Sequence, residues 1–144
     1  MQIDLEQIKH AILNTRNDVV SIVVFGSYAR AGAYHDMDLL VVVEQPWKTR
    51  LDRRSALVKL RKNLPRLGVD VDLVLYSKSD CLGGFRNHNP FFLEIAVDGQ
   101  VLFDREFIAP LIKETRTYIQ SRPIQRTPTG GWQFPTRWRK AVPL

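Results

Sequence analysis

The chain has 144 residues, 21 Lys+Arg against 15 Asp+Glu, a formal net charge of +6, and 44% hydrophobic residues. That length fits one compact domain with a real core and is too short for two full-sized ones. A single cysteine, Cys81, excludes a disulfide framework and a Cys-based zinc site, and no run approaches the roughly 18 apolar residues of a membrane helix. The start, MQIDLEQIKH, has no apolar h-region, so no signal peptide is expected and a reducing, cytoplasmic setting is. The positive charge is uneven. Residues 1–114 hold 15 basic and 15 acidic side chains, and the excess comes from Arg116, Arg122, Arg126, Arg137, Arg139 and Lys140, with no acid after Glu114.

In chain order, Leu5, Ile8, Ile12 and Thr15 recur at helical spacing after Asp4, a suitable N-cap. Val19 to Phe25 (VVSIVVF) reads as a strand covered on both faces, ended by Gly26-Ser27. A small, polar stretch, Tyr28 to His35, turns at Gly32. Asp36 to Val43 (DMDLLVVV) is a second strand. Trp47 to Leu64 reads as an amphipathic helix with Leu51, Leu57/Val58 and Leu60/Leu64 as its apolar side, stopped by Pro65 and Gly68. Its basic residues (Arg50, Arg53, Arg54, Lys59, Arg61, Lys62) read as a solvated face rather than a polyanion site.

A third strand spans Val69 to Tyr76, and Ser79 suits the cap of a short turn before Gly83-Gly84. Asn89-Pro90 opens a helix that ends at Gly99. Val101 to Phe103 is a short strand and Glu106 to Gln120 a last helix. From Arg122 on, four prolines, Gly130-Gly131 and three aromatics argue against regular structure. The order predicts an α/β (α+β) fold, a small mixed sheet with helices packed on it.

Asp36 and Asp38 lie two apart on a strand and so share a face, as do Asp70 and Asp72 on the next. Paired carboxylates beside apolar residues repel each other and lose hydration, which a hard divalent cation such as Mg²⁺ offsets. Gly26 lets backbone approach a phosphate closely, and Ser27 and Arg30 add a hydroxyl and a cationic donor. Gly-Ser alone is more often an ordinary turn, and one Asp-x-Asp a solvated edge. Their combination in this order points to nucleoside triphosphate chemistry. His10, His35 and His88 lack metal-ligand spacing, Cys81 lacks an activating partner, and nothing requires Lys78 or Arg86 to reach a nucleotide.

FGSYARAGAYHDMDLLVVV resembles the signature of the DNA polymerase β-type nucleotidyltransferase superfamily, and VDLVLYS at 71–77 resembles the third-carboxylate strand of its minimal nucleotidyltransferase (MNT) branch. The resemblance covers about residues 1–105, leaving a helix at 106–121 and a basic, Pro/Trp-rich tail at 122–144. It implies the polymerase β-like fold, with Gly26, Ser27 and Arg30 holding the nucleotide and Asp36, Asp38 and Asp72 serving as catalytic residues and ligands of two Mg²⁺ ions. Asp70 rivals Asp72 on the same face. The loop before Asp36 is short for this branch, and its usual Ala-Arg-Gly reads Ala29-Arg30-Ala31 with the glycine displaced to Gly32.

The family's activity implies transfer of AMP from ATP to a hydroxyl. The implied acceptor is a tyrosine of a HEPN ribonuclease toxin on a separate chain, for which an MNT protein is the antitoxin. Two other classes stay open: a small-molecule nucleotidyltransferase of the aminoglycoside-modifying type, and a nucleic-acid-directed or non-catalytic binding module. The tail carries Trp132, Phe134 and Trp138 among its arginines. Docking to a partner ranks first for it, folding back on its own body second, and nucleic acid third.

Overall fold

In the computed structural model, residues 4–26, 36–66, 70–122, 124–128 and 131–133 are described. Helix α1 (Leu5–Thr15) starts where the Asp4 carboxylate accepts hydrogen bonds from the backbone N–H groups of Glu6 and Gln7, and it buries Ile8 and Ile12. Strand β1 (Val19–Phe25) is buried at every position, as its unbroken apolar run predicts. It pairs antiparallel with β2 (Asp36–Val43) on one side and with β4 (Gln100–Asp104) on the other. β2 pairs parallel with β3 (Asp70–Ser77), so the sheet order is β3-β2-β1-β4 and the sheet is mixed.

Two apolar layers sandwich this sheet. Met37, Leu39, Val41, Val43, Leu73 and Leu75 face α1 and α2 (Arg50–Asn63). Leu40, Val42, Val74 and Tyr76 face the other way, toward α3 (Lys78–Arg86), α4 (Pro90–Asp98) and α5 (Ile108–Ser121). α5 contributes Ile108 and Ile112 to this second layer and so belongs to the same packed body.

The structure differs from the sequence reading at α2 and after β3. α2 begins at Arg50 rather than Trp47, because the Thr49 hydroxyl accepts from Asp52 N–H and caps it there. Its buried side is Ala56 and Leu60, whereas Leu51 and Val58 are 71% and 56% exposed. The cap after β3 is Ser77, not Ser79, and it opens a full helical segment running through both glycines. Gly84 is small for a packing reason: a Cβ there would overlap the Phe92 ring.

α5 is capped from a distance in sequence. The Asp104 carboxylate, at the end of β4, accepts from the N–H groups of Phe107, Ile108 and Ala109 and from the buried Ser21 hydroxyl of β1. Burial pushes this carboxyl up, but the four hydrogen bonds outweigh it and hold it below the ordinary aspartate value.

The tail is not wholly irregular. Gln125–Arg126 and Trp132–Gln133 form a two-stranded hairpin, β5–β6, and Ile124 is buried. Arg126 pairs with Glu94 at 2.7 Å and Asp98 at 2.8 Å on α4, and its guanidinium lies 5.2 Å from the Trp132 ring. This stretch therefore folds back on the body, the reading ranked second, and Trp132 is half-buried rather than a free anchor. Phe134 and Trp138 lie outside the described residues.

Candidate active site

Sheet register sets the aspartates in two rows. Asp36 stands opposite Asp70 and Asp38 opposite Asp72 on the parallel strands β2 and β3. Neighbouring strands run about 4.8 Å apart, and registered residues share a face. Asp38, Asp70 and Asp72 thus occupy the face that carries Leu40, Val42, Val74 and Tyr76, at the end of the sheet where that apolar layer stops, and Asp36 takes its register position at the same end. Asp70 and Asp72 are exposed and Asp38 is half-buried. Among the described residues no three His, Cys, Asp or Glu side chains converge to hold a metal ion. The Asp36 side chain, third member of the expected set, lies outside them.

Gly26 belongs to the same corner. Phe25 pairs with Asp38 across β1 and β2, so the chain leaves β1 beside that carboxylate. Gly26 takes φ +77°, in the left-handed region, and a Cβ there would overlap Asp38 Oδ2. The sequence assigned this glycine to phosphate approach. The structure adds a second requirement, room for the Asp38 carboxylate. Ser27, Arg30, Gly32 and His35 lie outside the described residues, as does Gly68.

Phe91 joins an aromatic cluster with Phe25 and Tyr76 on the side of the sheet that Leu40 and Val42 face. Phe91, in the first turn of α4, packs edge-on against Phe25 at 5.3 Å and lies 5.8 Å from Tyr76. Asn89 sets the start of this helix by accepting from Phe91 N–H, as the Asn-Pro signal predicts. The other titratable candidates sit apart from the carboxylates. Burial pushes the Cys81 thiol up to about 12, which fits a structural role. Lys78, at the far end of β3, pairs with Glu44 at 3.7 Å. His88 stacks on Tyr118 at 3.6 Å, and burial, then the Arg122 charge, hold its pKa below the ordinary value.

The donor set is chemically coherent. It consists of carboxylate oxygens on two adjacent strands, the ligand type that suits hard, octahedral cations rather than zinc or copper. A mixed sheet thus carries two acidic pairs at one end, beside a left-handed glycine that closes a strand.

Comparison with known proteins places the chain in a family. Residues 5–102 match the nucleotidyltransferase domain family. A protein of Methanocaldococcus jannaschii named as a protein adenylyltransferase is 32% identical over 111 residues, covering 69% of this chain and 74% of that protein. The chain belongs to the nucleotidyltransferase domain family and is an enzyme of that type, acting on a nucleotide.

Solved structures agree on the fold. A mutant of the MntA-HpeT toxin–antitoxin superposes with a TM-score of 0.55 at 20% identity, covering 83% of this chain and 89% of that one. A toxin–antitoxin crystallised with AMP-PNP gives 0.54 at 19% identity over the same shares. Among the described residues no helix is long and apolar enough to cross a membrane.

Proposed function

We propose that this chain transfers AMP from ATP to a tyrosine hydroxyl of a HEPN ribonuclease on a separate chain, and thereby acts as its antitoxin. The observation that carries this reading is the Asp38–Asp72 register, with Asp36 one step outward and the Gly26 backbone against Asp38. The acceptor class rests on the archaeal relative named as a protein adenylyltransferase and on the shared fold of the toxin–antitoxin assemblies.

Asp36, Asp38 and Asp72 would hold two Mg²⁺ ions. Bound there, the metal would neutralise phosphate charge and acidify the acceptor hydroxyl. Asp72 is favoured over Asp70 because its row, Phe25–Asp38–Asp72, is the one that ends beside Gly26. The Gly26-Ser27 turn and Arg30 would orient the triphosphate. The tyrosine oxygen attacks the α-phosphorus in line. The O–Pα bond forms as the bond to the bridging β-oxygen breaks, pyrophosphate leaves, and the hydroxyl proton passes to Asp72.

Catalysis is assigned to residues 1–105, on which the helix at 106–121 packs through Ile108 and Ile112, and the tail follows at 122–144. Within the tail, Phe134 and Trp138 take the docking role, since Trp132 is engaged by Arg126.

The test uses the purified chain, Mg²⁺, a HEPN partner and ATP radiolabelled at the α-phosphate. Label and a mass increment of AMP should appear on a partner tyrosine, and γ-labelled ATP should transfer nothing. Transfer from the γ-position, or none at all, contradicts the reading.

A further inference from the structure

We propose that the outer face of α2 is a docking surface for an acidic, helical segment of a partner protein. α2 packs inward through Ala56 and Leu60, with Leu57 and Leu64 half-buried beside them. Successive helical residues are rotated by about 100°. Leu51 and Val58 therefore fall together on the side directly opposite Ala56 and Leu60, one heptad apart. They are the two most exposed large apolar side chains among the described residues. Arg54 and Arg61 flank this ridge on one side and Ser55 and Lys62 on the other. All are exposed, and no carboxylate among the described residues pairs with Arg54, Arg61 or Lys62.

Leu51 and Val58 form a short apolar ridge with charged flanks, a surface on which the apolar seam of a second helix can rest. The charge decides the occupant. α2 carries six basic residues against one acid, Asp52. A second copy of this helix would repel the first, and this chain's own C-terminal segment, which has no acid after Glu114, would be repelled as well. The complement to this face is a helix with Leu-like residues along its seam and Glu or Asp beside them. RNA is the poorer match, because branched aliphatic side chains at the centre of the patch neither stack on bases nor bond phosphate. The face lies on the opposite side of the sheet from the aspartates, so binding here is separable from catalysis.

The test measures binding by fluorescence anisotropy with three labelled probes. They are a synthetic amphipathic peptide about three heptads long with Leu on its seam and Glu on its flanks, its Lys-for-Glu counterpart, and a single-stranded RNA. The acidic peptide should bind saturably. Leu51→Ser/Val58→Ser and, separately, Arg54→Glu/Arg61→Glu should each weaken it about tenfold, with circular dichroism unchanged. The basic peptide should not bind. The proposal is overturned if wild type does not bind the acidic peptide, if the double-serine variant binds it equally well, or if RNA binds more tightly and is released by the charge reversal.

Discussion

Replacing Gly26 with alanine separates two demands that the fold makes at one residue. The first is backbone conformation: φ +77° costs a residue with a Cβ about 1 kcal/mol. The second is space, because the new methyl overlaps Asp38 Oδ2, and forced overpacking typically adds about 1–3 kcal/mol. Gly26→Ala should therefore destabilise the protein by about 2–4 kcal/mol, read from urea unfolding midpoints. In an Asp38→Ala background the carboxylate is gone, so only the conformational part, about 1 kcal/mol, should remain. On the proposed role of Asp38, nucleotide transfer by Gly26→Ala should fall about a hundredfold, because the carboxylate is displaced. Equal stability costs in the two backgrounds would refute the claim that Gly26 is held by the carboxylate beside it.

Other changes read out the scaffold. Gly83→Ala should stabilise α3 by about 0.5–1 kcal/mol, since nothing stands near its Cβ, whereas Gly84→Ala should destabilise by about 1–3 kcal/mol through the Phe92 ring. Thermal melts of the pair check both signs. Asp104→Ala should cost about 2–3 kcal/mol at neutral pH, losing the α5 cap and stranding the buried Ser21 hydroxyl. Because the folded-state pKa of Asp104 is lowered, its ionised form stabilises the protein above the ordinary carboxylate range, and that contribution is lost as pH falls through the folded value. Wild-type and Asp104→Ala stabilities should converge in acid. Cys81, buried with its thiol pushed up to about 12, should resist thiol reagents at pH 7 and react only on unfolding.

The parts of this fold legible in sequence are those set by local chemistry. The Asp4 cap, the apolar runs of β1 and β2, and the Asn89-Pro90 helix start each depend on residues next to one another. The apolar side of α2 misled because Leu51 and Val58 are apolar yet point away from Ala56 and Leu60. Ser79 was a reasonable cap, but Ser77 lies where β3 hands over to α3, and the Gly83-Gly84 pair hid the helix that Phe92 packs against. The Asp104 cap left a signal, an acid just before a helix, but its tie to Ser21 spans the sheet and only tertiary structure reveals it. At the site, each Asp-x-Asp pair was readable from strand parity. The parallel register that sets Asp38 beside Asp72 was not, because it is fixed by how β3 returns to β2 after α2.

The central claim, that Asp36, Asp38 and Asp72 perform nucleotide transfer, is tested most directly by single-turnover labelling of the partner with α-labelled ATP. Wild type, Asp36→Ala, Asp38→Ala, Asp72→Ala and Asp70→Ala should be compared at matched folded fractions. The three assigned variants should each lose about a hundredfold or more in rate, and Asp70→Ala should stay within a few-fold of wild type. Labelling by Asp36→Ala and Asp38→Ala at the wild-type rate would contradict the account, and so would a loss that follows Asp70 instead of Asp72.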